Sequence, residues 1–305
     1  MGGTTDRRFA FLFFRSWGTG RLIDHPDASF RFPILMYHAL WRGGDDADVA
    51  RQWREDPQLS DPGARVYAFD HREFERHMRT VAGHALQTPR TWDDLETPDA
   101  STIWITFDDG HRSNIELALP ILRRYGLNAI CFITTGWTDT PGFMTEAQLR
   151  ALRTAGVLLG THGVTHKFFA DMTGDELLDE LVESKRRLES ILGEEVPAVA
   201  LPGGRSHPEL RRLAERAGYR YLFTSRTALA SPADDPLALP RIAMTQRLAS
   251  GFLERLLDGD TSKVRAIARA ERRREFVRRL LGDRVYLGLR QAILRRRSAR
   301  AHSSE

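Results

Sequence analysis

The chain has 305 residues, of which 41% are hydrophobic and 28% are charged. This composition favours one substantial globular core over a disordered, fibrous or membrane-spanning protein. The only cysteine, Cys131, excludes an internal disulfide, and its apolar neighbours predict a buried thiol. The apolar run at 9–14 is too short for a signal-peptide core, so we expect a cytoplasmic protein.

Short apolar runs alternate along the chain with stretches of helical periodicity. Seven runs are typical of buried parallel strands, at 33–37, 102–107, 128–134, 157–161, 198–201, 220–224 and 239–244. Five stretches predict amphipathic helices, at 71–82, 112–125, 146–155, 174–192 and 208–217. This alternation indicates βαβ units in an α/β fold with a closed or nearly closed barrel, although an open doubly wound sheet gives a similar pattern.

The segment 41–65 lacks periodicity and is rich in Gly, Asp and Pro. We interpret it as a long loop after the first strand, where loops often shape a binding site. A surface insertion without a role is the alternative.

Two adjacent carboxylates, Asp108 and Asp109, follow the second predicted strand. Active sites of barrel enzymes are built at this end of the strands. Neighbouring side chains there point in different directions, so one carboxylate can bind a metal while the other handles a proton. The alternative is that either residue caps the helix beginning near Arg112.

His162 and His166 follow the fourth predicted strand, four residues apart. Together with one carboxylate they form a ligand set that leaves open positions on an ion such as zinc, as in catalytic sites. After the fifth strand, the glycines of the segment 200–205 allow backbone to approach a substrate and to offer N–H groups to an oxyanion. An ordinary Pro-Gly turn is the alternative there.

Three segments, TFDDG at 106–110, HGVTH at 162–166 and LPGG at 201–204, resemble in order and spacing the first motifs of the NodB-homology polysaccharide deacetylases, carbohydrate esterase family four. The resemblance spans 32–244. It implies a distorted (β/α) barrel that hydrolyses N-acetyl groups of glycans such as chitin oligomers, peptidoglycan or poly-N-acetylglucosamine.

The resemblance also implies roles for individual residues. Asp108 would be the general base, and Asp109, His162 and His166 would bind a divalent metal, with zinc favoured over cobalt and nickel. The backbone N–H of Gly203 would stabilise the oxyanion.

Three departures from the family pattern are visible. The third motif lacks an arginine before its proline, so Arg205 or Arg241 would replace the usual partner of the base. No tryptophan follows Trp137, which removes one wall of the acetyl pocket. No histidine lies between 207 and 302, so we favour His38, at the end of the first strand, as general acid, as in a circularly permuted subgroup of exopolysaccharide deacetylases. A core or surface histidine is the alternative for His38.

The pattern divides the chain into an N-terminal segment (1–31), a deacetylase domain (32–261) and a basic helical tail (262–305). The tail has 14 Lys or Arg against 4 Asp or Glu, which leaves the rest of the chain net acidic. Its amphipathic helices predict either peripheral contact with the inner face of a membrane or an appendage that packs on the barrel or a partner. Nucleic-acid binding is less favoured, since charge alone does not distinguish polyanions.

Other functions stay open. The scaffold could deacetylate another acetylated glycan or a small amide, or could be a glycan-binding pseudoenzyme, although a binding module has no need of Asp108 beside Asp109. His111 could line the cleft, but we favour an exposed residue of a first helical turn, and we assign no role to His207.

Overall fold

A computed structural model describes residues 30–248 and 251–281. Its elements follow in chain order: β1 (Ile34–Tyr37), β2 (Leu40–Trp41), α1 (Asp46–Glu55), α2 (Pro57–Ser60), α3 (Pro62–Arg65), β3 (Phe69–Asp70), α4 (His71–Gly83), β4 (Trp104–Phe107), α5 (Leu119–Arg124), β5 (Ile130–Ile133), α6 (Glu146–Thr154), β6 (Leu158–Thr161), α7 (Gly174–Leu192), β7 (Ala198–Ala200), α8 (Leu210–Arg216), β8 (Tyr221–Phe223), β9 (Ile242–Ala243), α9 (Phe252–Leu257) and α10 (Ser262–Leu281).

Seven parallel strands form one sheet in the order β8-β7-β6-β5-β4-β1-β9. The strands therefore follow one another in chain order around the sheet, whereas a doubly wound sheet reverses direction at a switch point. The segment before β9 approaches the other edge: Leu239 donates to Leu222 at 2.9 Å and accepts from Thr224 at 2.8 Å. Three residues later, Ile242 pairs with Leu35 of β1. The result is the distorted, nearly closed barrel that we predicted.

All seven predicted strands and five predicted helices are confirmed, with ends that differ by a few residues. The helix predicted at 112–125 begins as a π-helical turn at Asn114–Ala118 before α5. Because helices cover the outside, β1, β4 and β5 are buried on both faces. Cys131 is buried in the layer between strands and helices, as predicted.

The loop prediction for 41–65 is wrong, because three helices (α1, α2 and α3) fill this insertion. Each helix begins after an aspartate whose side chain accepts a backbone N–H from the first turn; these caps are Asp45, Asp56 and Asp61. Proline occupies the first turn of α2 and α3, where its missing N–H costs no hydrogen bond. The Asp and Pro residues that suggested a loop are therefore helix-start signals.

The basic tail begins with α10, which packs against the barrel. The Glu271 carboxylate accepts from the Thr227 N–H at 3.2 Å and from its hydroxyl at 2.6 Å, and Val264 is buried. No helix among residues 30–248 and 251–281 is long and apolar enough to cross a membrane. The rest of the predicted tail, 282–305, and nearly all of the predicted N-terminal segment lie outside the described residues.

Candidate active site and metal centre

The carboxyl ends of the central strands meet at one mouth of the barrel, and most of the predicted site residues lie there. His38 follows β1, the carboxylate pair follows β4, His162 follows β6 and Gly203 lies just beyond β7. All of them line one cleft, together with His166. Arg241, immediately before β9, donates to the Asp108 carboxylate.

Asp108 and Arg241 form a buried bidentate ion pair. The guanidinium donates to the two carboxylate oxygens at 2.6 and 2.8 Å, and neither side chain is more than 3% exposed. Arg241 also donates to the Thr224 carbonyl at 3.0 Å and the Thr106 hydroxyl at 3.2 Å. Burial favours the neutral acid, but Arg241 and His162 outweigh burial and lower the pKa of Asp108. Asp108 is thus an ionised, desolvated carboxylate in a fixed orientation.

Of the two arginines that could replace the missing one, only Arg241 touches Asp108. Arg205 pairs instead with Asp171 at 2.7 Å on the rim of the cleft. The guanidinium comes from the segment before β9, far along the chain from the third motif, and occupies its position through the parallel pairing of β9 with β1.

Asp109, His162 and His166 form a compact donor set. The Oδ1 atom of Asp109 lies 3.5 Å from Nε2 of His162 and 3.2 Å from Nε2 of His166, and the three donors lie within 4.8 Å of one another. Two donors bound tetrahedrally to one zinc ion are about 3.4 Å apart, so these separations fit a shared ion. In the described part of the chain, this buried Oδ1 atom has no hydrogen-bond partner. The donor set therefore fits a divalent metal.

The pKa values of the two histidines shift in opposite directions. Nδ1 of His162 contacts the Ala200 carbonyl at 3.0 Å and must be the protonated nitrogen, which leaves the Nε2 lone pair facing Asp109. Burial lowers the pKa of His162 to about 4, so the ring is neutral at pH 7. Burial also opposes protonation of His166, but Asp109 outweighs it and raises the pKa of His166.

The turn that carries His166 depends on a residue that the sequence did not single out. Glu180 of α7 accepts from the N–H groups of Val164 and Thr165 at 2.6 and 3.1 Å, and from the Thr165 hydroxyl at 2.6 Å. His166 itself has a left-handed backbone, with φ at 59°. A buried glutamate inside an amphipathic helix was the available signal for this role.

The prediction that His111 is exposed is wrong. It is 2% exposed, and its Nε2 donates to Asp56 at 2.8 Å. The insertion also places Gln58 in the site, where its side-chain amide donates to Oδ2 of Asp109. The loop prediction for 41–65 includes neither of these contacts.

His38 and Gly203 line the same cleft as the donor set of Asp109, His162 and His166. Nδ1 of His38 is buried without a partner among the described residues, and the ring lies against Tyr67 with centroids 4.8 Å apart. His38 is close enough to both carboxylates to favour their ionised forms. Gly203 has φ at 61°, and a Cβ atom there would lie 2.0 Å from the Phe168 ring, so only glycine fits this approach.

The fold and the motifs agree with comparisons to known proteins. The family model described as polysaccharide deacetylase matches residues 96–222, which contain both carboxylates, His162, His166 and the glycine turn. Residues 96–222 therefore carry a polysaccharide deacetylase domain, as the family model describes it. The resemblance inferred from three motifs is therefore confirmed.

Relatives of this deacetylase domain come from several bacteria. YxkH of Bacillus subtilis (strain 168), provisionally named a polysaccharide deacetylase, is 25% identical over 221 residues, which cover 70% of this chain and 72% of YxkH. The poly-β-1,6-N-acetyl-D-glucosamine N-deacetylase of Staphylococcus epidermidis is 26% identical over 159 residues, 47% of this chain. The chain spans only 55% of that second relative.

Solved structures show the same fold. The deacetylase PplD of Streptococcus pyogenes, solved with acetate, superposes with a TM-score of 0.63 at 23% identity, covering 75% of this chain and 97% of PplD. IcaB of Ammonifex degensii superposes with a TM-score of 0.59 at 18% identity, covering 75% and 96% of the two chains.

Proposed function

We propose that this polysaccharide deacetylase domain is a metal-dependent hydrolase that removes N-acetyl groups from an amino-sugar glycan. The observation that carries the proposal is that the two adjacent carboxylates have different contacts. Asp108 is clamped by Arg241 and has no place in the metal-binding set, whereas Asp109 faces two imidazoles. A site that only binds glycan needs neither arrangement.

Asp109, His162 and His166 would hold the ion, with zinc favoured over cobalt and nickel. When bound, the ion would polarise the substrate carbonyl and acidify water. Asp108 would accept the proton of the water that attacks the acetyl carbon, because its pKa is lowered and it remains ionised at neutral pH. Arg241 would keep this base oriented.

The other two residues would act on the amide as it breaks. The oxygen of water bonds to the acetyl carbon and the C–N bond breaks, so the departing nitrogen needs a proton. His38 would donate that proton, since it lines the same cleft and has a buried, unpartnered ring nitrogen. The Gly203 N–H would donate to the carbonyl oxygen as negative charge develops on it.

The cleft suits a chain of sugars. Its volume of about 2510 Å³ exceeds the roughly 300–1,000 Å³ of pockets for drug-sized ligands. The relatives from Staphylococcus epidermidis and Staphylococcus aureus, which match about half of this chain, are named as deacetylases of poly-β-1,6-N-acetyl-D-glucosamine. We therefore choose β-1,6-linked N-acetylglucosamine oligomers as the first substrate.

The test measures acetate release from these oligomers by purified protein, with added zinc or after chelation. Asp108→Asn is the matched variant, because it preserves size and removes the base. We expect zinc-dependent release that falls by about 10²–10⁴-fold in the variant, with zinc content unchanged.

Three outcomes would contradict the proposal. Full activity of Asp108→Asn would show that Asp108 is not the general base. Release of acetate from acetylated xylan but not from the oligomers would favour the esterase alternative. Oligomer binding without acetate release, although zinc is bound, would favour the pseudoenzyme. The cytoplasmic location and the membrane contact through the tail stay predictions, and sedimentation with anionic liposomes tests the latter.

A further inference from the structure

The helical insertion at 41–65 places one side chain directly on the metal-binding carboxylate. Gln58 lies on α2 and is 8% exposed. Its Nε2 donates to Oδ2 of Asp109, across 51 residues of sequence. Because a carboxylate has no donor of its own, the amide nitrogen and not the amide oxygen must face it.

This contact divides the two oxygens of Asp109 between two tasks. Oδ2 is engaged by Gln58, whereas Oδ1 faces the Nε2 atoms of His162 and His166 and has no hydrogen-bond partner among the described residues. Fixing one oxygen of a carboxylate also fixes the direction of the other. Partners of this kind orient metal ligands and contribute strongly to metal affinity.

Gln58 is itself held by a chain of buried hydrogen bonds. Oδ1 of Asp56 caps α2 by accepting from the N–H groups of Gln58 at 3.0 Å and Leu59 at 3.3 Å. Oδ2 of Asp56 accepts from Nε2 of His111 at 2.8 Å. Nδ1 of His111 in turn lies 2.7 Å from the Ser113 hydroxyl.

Only one tautomer of His111 satisfies all of these hydrogen bonds. Ser113 accepts from the Leu40 N–H at 2.8 Å, so its hydroxyl hydrogen is available for Nδ1 of His111, and the proton on Nε2 is donated to Asp56. His111 lies two residues beyond Asp109. The hydrogen bond between His111 and Asp56 therefore joins the insertion to the strand end that carries Asp109.

We propose that Gln58 is a positioning residue: it holds the Asp109 carboxylate so that Oδ1 is directed at the metal ion. Asp56 in turn acts on metal binding through Gln58. The proposal rests on the metal centre of the proposed function. It does not depend on which glycan is the substrate.

Zinc affinity, measured on the full chain by competition with a chromogenic chelator, tests the proposal without using activity. Gln58→Met keeps the volume of the side chain and removes the amide, so we expect zinc to bind about 10–100-fold more weakly. Gln58→Asn keeps the amide but is one methylene too short, and we expect a similar loss.

Gln52→Met is the matched control. Gln52 lies on α1 of the same insertion and bonds to the backbone of Arg42 at 2.8 and 2.9 Å, away from the cleft. We expect it to bind zinc like the wild type. Thermal unfolding of the metal-free proteins checks that all variants fold.

A double-mutant cycle tests the second half of the proposal. If Asp56 acts through Gln58, Asp56→Ala lowers zinc affinity alone but adds little in the Gln58→Met background. Losses that multiply would overturn that link. Wild-type zinc affinity in both folded Gln58 variants would overturn the positioning role while leaving the deacetylase proposal intact, whereas a wild type that binds no zinc would overturn both.

Discussion

Replacing Arg241 by methionine tests the electrostatic basis of the site. Methionine retains much of the apolar stem but leaves the Asp108 carboxylate buried without its bidentate partner. Two unit charges about 4 Å apart, at an effective dielectric constant near 20, attract by about 4 kcal/mol. Breaking a buried pair by removing one partner costs about 3–5 kcal/mol. Since Arg241 is fully buried, solvent screening does not reduce this figure, and we expect a loss of this size at neutral pH.

The loss should depend on pH with a definite sign. In the wild type the pKa of Asp108 is lowered, so its contribution to stability is present above the unfolded pKa and is lost as pH falls through the folded pKa. In the variant we expect burial to dominate and to raise this pKa. The contribution of Asp108 is then favourable at low pH and fades as pH rises. The stability difference between the two proteins should therefore shrink toward acid pH.

Urea unfolding of the metal-free proteins at neutral pH and at a pH of about 5 measures both effects. Arg205→Met is the control, because Arg205 lines the same cleft but pairs with the exposed Asp171, and it should cost at most about 1 kcal/mol. In the zinc-loaded enzymes, the acid limb of the pH profile of kcat/KM should move to higher pH in Arg241→Met but not in Arg205→Met. A loss below about 1 kcal/mol at neutral pH, or an unmoved acid limb, would refute the reasoning.

Three further predictions concern neighbouring residues. His38→Ala should lower deacetylation of oligomers by about 10²-fold but affect hydrolysis of 4-nitrophenyl acetate much less, since nitrophenolate leaves without a proton; equal losses would argue against a general acid. Gly203→Ala should lower stability by about 1–3 kcal/mol, because φ is 61° and the new Cβ meets Phe168, and adding Phe168→Ala should recover part of that in urea unfolding. Burial raises the pKa of the Cys131 thiol, so it should react with a thiol reagent only in denaturant; rapid labelling of the native protein would contradict its buried position.

The strands and the donor set of Asp109, His162 and His166 could be predicted from the sequence because their signals are local. Apolar runs such as 130–133 are typical of buried parallel strands, and the polar side chains that follow them must meet at one mouth because the strands are parallel. The helices at 41–65 were missed because Asp and Pro are frequent both in loops and at helix starts. His111 was misplaced for the same reason, since its partner Asp56 lies in that insertion.

Arg241 shows how a guanidinium can contact Asp108 although the third motif lacks its arginine. Asp108 requires a cation in contact with both oxygens, and the physical requirement does not specify which strand supplies it. The two strands β4 and β9 both pair with β1, so a side chain at the start of β9 can contact the carboxylate that follows β4. From sequence alone, Arg205 and Arg241 were equivalent candidates, because their distance from Asp108 depends on the closure of the barrel. Contact between Asp108 and a guanidinium therefore depends on strand order. Only the folded chain distinguishes Arg241, which touches this carboxylate, from Arg205, which lines the rim of the cleft.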